Sequence, residues 1–127
     1  MPTGYAALLA EINKLEQLLG DIERVNSRGD QERKRELIGL RRLMSTQIGT
    51  VRATGDAAFP TTDATALAVD YRARFSAMVR AIALHQANWP AVKMDEKGDG
   101  YRASASATDA RIHDFITWTR SSIAGFR

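Results

Sequence analysis

The side chains able to carry chemistry in this 127-residue chain are few, and their spacing is poor for it. There are two histidines, His85 and His113, and no cysteine. Two imidazoles with nearby carboxylates could hold one zinc ion, but a helical site wants a His–His pair at i, i+4 or a Glu-x-x-His, and neither occurs. Counted from Asp95, the run Asp95-Glu96-Lys97-Gly98-Asp99-Gly100 fits a calcium loop at its fifth and sixth positions, Asp99 and Gly100. Lys97 stands where the third ligand belongs and Ser106 where the bidentate glutamate belongs, so a solvated turn is expected. Ser104, Ser106, Ser121 and Ser122 lack a nucleophile elbow. His85 is followed by Gln86-Ala87 rather than the Lys-Gly of a phosphotransfer bundle, and no glycine-rich phosphate cradle is present. The expectation is no catalytic residue, no metal ligand and no cofactor. An enzyme with a weak site on His85, Tyr71 and Tyr101 is the outlying alternative, because no paired acid and base supports it.

The elements that must position these groups are helices. Leu67, Tyr71, Phe75, Met78, Ile82, His85 and Trp89 follow one another in steps of three and four, the spacing of one helical face, for about six turns. His85 therefore lies on an apolar stripe and is read as a core or cleft residue, together with Trp89, Tyr71 and Tyr101. Three other segments carry similar stripes. Residues 4–26 place Leu8, Ile12, Leu15, Leu18, Leu19, Ile22 and Val25 on one side. Gly29 then suits a left-handed helix end, and Asp30 can cap the next helix. Residues 31–52 place Leu37, Leu40, Leu43, Met44, Ile48 and Val51 together, with Gly39 and Gly49 either permitting close helix approach or weakening the helix.

Residues 53–62 read as a loop, with Asp63 or Thr62 capping the third helix, which Pro90 ends. A second loop spans residues 91–102. A fourth helix starts between 103 and 108, continues to about 124, and carries Ile112, Phe115, Ile116, Thr119 and Ile123. The fold expected is one all-α domain over residues 1–127, an antiparallel up-down-up-down four-helix bundle.

Composition agrees with a folded, water-exposed chain: 44% hydrophobic and 26% charged residues. No run approaches the roughly 20 apolar residues of a membrane span, and the start has no basic leader region, so a cytoplasmic protein with no membrane partner is expected. The net charge of +3 reflects 18 basic residues, fourteen of them arginine, against 15 acidic ones. Arg33-Lys34-Arg35 and Arg41-Arg42 are the densest basic patch, diluted by Glu32 and Glu36; a nucleic-acid reader would need a denser stripe or a motif. Trp118 sits about 120° off the centre of its helix's stripe, half-packed or open to a partner. Trp118, Arg33, Arg35, Arg41 and Arg42 are thus the candidate partner surface.

Arg74-Phe75-Ser76-Ala77-Met78, then His85-Gln86-Ala87-Asn88-Trp89-Pro90-Ala91, then Gly100-Tyr101-Arg102-Ala103 give the second half of the chain its character. In helix lengths, the Trp-Pro break and the aromatic after the loop, this half resembles the hemerythrin-like (HHE) family of four-helix bundles. The resemblance implies a bundle whose helices would hold two irons through inward histidines and carboxylates. Here the first two segments contain no histidine, and the late ligand positions read Trp118-Thr119-Arg120-Ser121, so it implies a bundle that has lost its metals and the associated iron and oxygen chemistry. The function expected is a non-enzymatic regulatory or protein-interaction module, with a protein partner or a second copy of the chain as its ligand. The alternative is a small export or assembly chaperone of flagellar or secretion type, presenting an apolar groove to a client's amphipathic helix.

Overall fold

A computed structural model of the protein describes residues 3–94 and 100–123. It contains four long helices: α1 (Thr3–Asn26), α2 (Glu32–Ala58), α3 (Ala66–Asn88) and α4 (Gly100–Ile123), with one 3-10 turn, Ala91–Lys93, after α3. Among the described residues there is no strand. α1 packs most closely on α2, α3 packs on α4, and α1 packs on α4. The register is antiparallel throughout. Gly4 meets Ala58 at one end of the α1–α2 hairpin, Gln47 bonds to Glu11 midway, and Val25 joins Leu37 at the other end. The expected four-helix bundle is the observed fold.

The stripes account for this packing. Leu8, Ile12, Leu15 and Leu19 of α1 are fully buried, and Tyr71, Phe75, Met78, Ile82 and His85 of α3 lie on the same inward line. α4 contributes Ile112, Phe115, Ile116, Thr119 and Ile123, all five anticipated from spacing. On α2 the inward face is Leu37, Met44, Ile48, Val51 and Gly55. Leu43, assigned to the core by sequence, is 55% exposed, and Leu40 is only half-buried. They lie toward the outer side of the α1–α2 hairpin.

Helix ends differ from expectation in instructive ways. α2 does not stop at Arg52 but runs through the anticipated loop to Ala58, because Gly55 faces the ring of Tyr71 and the helix-end residue Phe59 stacks on that ring at 4.7 Å. A methyl group on Gly55 would collide with the Tyr71 hydroxyl. The cap of α3 is Thr65, whose hydroxyl accepts from the Ala68 N–H; Asp63 accepts from the Thr65 N–H instead. Asp30, expected to cap α2, accepts from the Glu32 backbone N–H at the start of that helix. Its carboxylate also accepts from Arg28, and Gln31 fills the cap position without a side-chain bond. Gly29 does not adopt left-handed backbone, and nothing approaches Gly39 or Gly49. α3 ends as expected at Trp89, in the extended geometry that Pro90 imposes. α4 begins at Gly100, several residues early, since only a glycine there leaves room for the Trp89 ring, 2.8 Å from where a Cβ would lie. The acidic run at 95–99, the weak match to a calcium loop, lies outside the described residues.

Candidate functional site

Near the Trp89 end of the bundle the core changes character. The apolar stripes there carry polar side chains inward from all four helices: Asn26 from α1, Arg41 from α2, His85 from α3, and Tyr101, Ser104, Thr108 and Asp109 from α4. All of them but Ser104, together with Gln86 of α3, line a small cavity of about 30 Å³ whose other walls include Leu19, Leu37, Met44 and Ile82. Each group arrives by helical register. Arg41 stands four residues after Leu37 and three before Met44, and Asp109 four after Ala105 and three before Ile112, so both face inward despite their charge.

The polar contacts are specific. His85 Nδ1 and Ser104 Oγ are 2.6 Å apart. The Tyr101 hydroxyl donates to Asn26 Oδ1 and lies beside the Arg41 guanidinium. His85 and Tyr101 face each other with ring centres 5.7 Å apart, and Trp89 meets Tyr101 edge-on at 5.9 Å. Burial, with Arg41 nearby, pushes the His85 imidazole down to about 4, so the ring is neutral at pH 7. Burial, reinforced by Glu23, pushes the Asp109 carboxyl up to about 7, with His113 acting the other way. Burial lowers the Arg41 guanidinium, against the opposing influence of Tyr101. Its Nη2 is buried without a hydrogen-bond partner.

On the outer side of α1 and α4 an open cleft of about 530 Å³ shares Asn26, Tyr101 and Asp109 with this cluster. His113 lies there 3.2 Å from Glu23. These groups do not amount to a metal centre: among the described residues no three His, Cys, Asp or Glu side chains are arranged to hold an ion. Nor do they fit a di-iron site, since α1 and α2 contain no histidine. His85 has hydroxyl and guanidinium neighbours rather than a carboxylate to orient it as a base, and Ser104 is half-buried.

The candidate partner surface is not one face. Arg41 is a correction, because it points into the core cluster rather than outward. Trp118 is half-buried against the main core, with the Arg74 guanidinium 4.7 Å above its ring and Arg74 in turn paired with Asp70 at 3.0 Å. Arg33 is half-buried and Arg35 is exposed, 4.0 Å from Glu32. Arg42 alone of the five borders a pronounced surface cleft. That cleft, about 740 Å³ between α1 and α2, has Val25, Gly39, Leu40 and Leu43 as its apolar part and Asp21, Arg24, Arg28, Glu36 and Arg42 around it. Of the core-or-cleft candidates, the structure gathers His85, Trp89 and Tyr101 into the polar cluster. Tyr71 lies elsewhere, stacked between Phe59 and Phe75.

Sequence reasoning did not single out Asn26, Ser104 or Asp109. The signal was present in the register: Asn26 follows Ile22 by four residues and Asp109 flanks the stripe of α4. No described helix is long and apolar enough to cross a membrane. Comparison with known proteins finds no matching family, no matching curated protein and no matching solved structure.

Proposed function

We propose that this chain is a non-enzymatic helical-bundle module that works by binding a protein partner in the cleft between α1 and α2. The observation that carries the reading is Leu43. It stands 55% exposed beside half-buried Leu40 on a helix whose inward face is otherwise complete, and it borders the largest of the described clefts. More than half of that side chain stays in water in the folded chain, whereas an apolar floor ringed by charge is a common form of protein interface. The acids of the ring are taken within it: Asp21 by Arg24, and Glu36 by Arg28 at 2.5 Å. Arg42 has no such pairing there, which favours a partner segment carrying an acidic residue beside an aliphatic or aromatic anchor. The ancestry that fits this reading is a hemerythrin-like bundle without its metal site, supported by the Trp89-Pro90 break and the antiparallel connection into α4.

The test is a quantitative pull-down comparing the parent chain with Leu43→Asp and with Leu84→Asp, a slightly more exposed leucine on α3. A protein that is lost with Leu43→Asp and kept with Leu84→Asp supports the proposal. Equal recovery by all three, or no specific recovery by the parent, overturns it.

A further inference from the structure

Arg41 presents a problem that the rest of the bundle does not resolve. A guanidinium taken out of water needs hydrogen bonds or a counter-charge, and removing both is strongly unfavourable. Arg41 lines the small cavity with its Nη2 buried and unpartnered. Its charged neighbours do not compensate. The guanidinium donates a hydrogen bond to the Tyr101 oxygen, but that neutral phenol brings no counter-charge and Nη2 is left over. Asp109 is the one carboxylate on the cavity wall; it makes no ion pair with Arg41 among the described residues, and burial together with Glu23 raises its carboxyl.

The remaining polar wall groups are mixed: Gln86 and Thr108 bring both donor and acceptor atoms, and Asn26 and His85 complete the set. Asn26 spends its carbonyl oxygen on the Tyr101 hydroxyl, leaving its NH₂ as a donor on the same wall. His85 is neutral and uses Nδ1 on Ser104. The cavity of about 30 Å³ exceeds the ~10–15 Å³ that one water needs and is far too small for an organic ligand.

We propose that this cavity is a binding site for a monovalent anion of chloride size, held by the Arg41 guanidinium and the Asn26 amide. The ion supplies a counter-charge for Arg41 and ties α1 to α2 at the end where the core is most polar. Below neutrality Asp109 is protonated, and the wall then carries one positive charge and no negative one. Arg41 and Leu43 face different sides of α2, so this site and the partner cleft can each fail without the other.

The experiment uses the full chain at about pH 6, melted in sodium bromide and in sodium gluconate at equal ionic strength. Gluconate is too large to enter. Bromide should raise Tm saturably by several degrees while gluconate does not, and Arg41→Met should abolish the difference. A bromide-soaked crystal of the parent should show an anomalous peak within hydrogen-bond distance of Arg41 Nη2. Identical melting in both salts, a bromide response that survives Arg41→Met, or ordinary water density without anomalous signal would each overturn the proposal. Should Arg41→Met fail to fold, the salt comparison and the crystal of the parent still decide.

Discussion

His85 and Asp109 meet the same low-dielectric end of the core with opposite consequences for pH. The folded state holds the His85 imidazole at about 4, against an ordinary value near 6.5, so the unfolded chain takes up that proton first. Stability from this group is present above about 6.5 and is lost as pH falls toward 4. Asp109 is held up to about 7, so its contribution is intact below the ordinary carboxylate value and is lost as pH rises through 7. Between pH 4 and 6.5 the two slopes oppose each other, and the parent should show a muted pH dependence there. Asp109→Asn removes one of them. Its Tm should exceed the parent's by a margin that widens between about pH 4.5 and pH 7.5, measured by circular dichroism. A constant margin would mean that Asp109 titrates like an exposed carboxylate. Of the two, only His85 was legible in the sequence. The position of His85 on the stripe of α3 announced a core or cleft residue, and the structure places it there. Arg41 and Asp109 were hidden by their charge: periodicity reads apolar side chains well, while a charged residue on the inward register is assigned to solvent by default. Arg41 is half-buried and follows the rule that long charged side chains keep their heads in water only in part: it turns toward the Tyr101 hydroxyl and leaves Nη2 buried without a partner.

Helix α2 shows how packing between elements overrides local preference. Gly55 made residues 53–62 look like a loop, since a glycine costs about 1 kcal/mol of helix preference relative to alanine. The helix nonetheless continues to Ala58, because a bare backbone at Gly55 lets the Tyr71 ring of α3 lie flat against α2, sandwiched by Phe59. α2 and α3 are the least closely packed neighbours, so this contact, with Arg52 5.1 Å from the Phe75 ring, is a large part of what joins them. Gly55→Ala should therefore destabilise the fold by about 1–3 kcal/mol, the usual cost of overpacking. Tyr71→Phe should relieve much of that loss, because the methyl clashes first with the hydroxyl. The hydroxyl itself is buried without a partner, so Tyr71→Phe alone should be neutral or stabilising. Urea titration of the two single variants and the double variant checks the coupling; strictly additive effects would place the strain elsewhere. Gly49 is the contrasting case. Nothing lies within 4 Å of its absent side chain, so it is a weak spot rather than a contact point, and Gly49→Ala should gain about 0.5–1 kcal/mol in the same titration.

Across the whole molecule, stability and recognition fall on different sides of the same hairpin. The inner side of α1 is apolar in every turn: Leu8, Ile12, Leu15 and Leu19 are sealed from solvent and touch the stripes of the other helices. That is why the bundle was readable from spacing alone, since four amphipathic rods of equal length leave few other ways to bury their faces. The outer side was not readable. Leu40 and Leu43 fall within a turn of the true stripe, and a one-residue difference in register separates core from surface. Truncation tells the two apart. Leu15→Ala removes a fully buried side chain from a close-packed region and should cost about 2–5 kcal/mol; Ile82→Ala on α3 should behave in the same way. Leu43→Ala should change the unfolding midpoint by less than about 0.5 kcal/mol, because solvent already covers half of that side chain. If Leu43→Ala were as costly as Leu15→Ala, the leucine would belong to the folding core and the α1–α2 cleft would lose its anchor. A small cost alongside reduced partner capture places its contribution in recognition, because an exposed aliphatic side chain gains from burial only when another surface covers it.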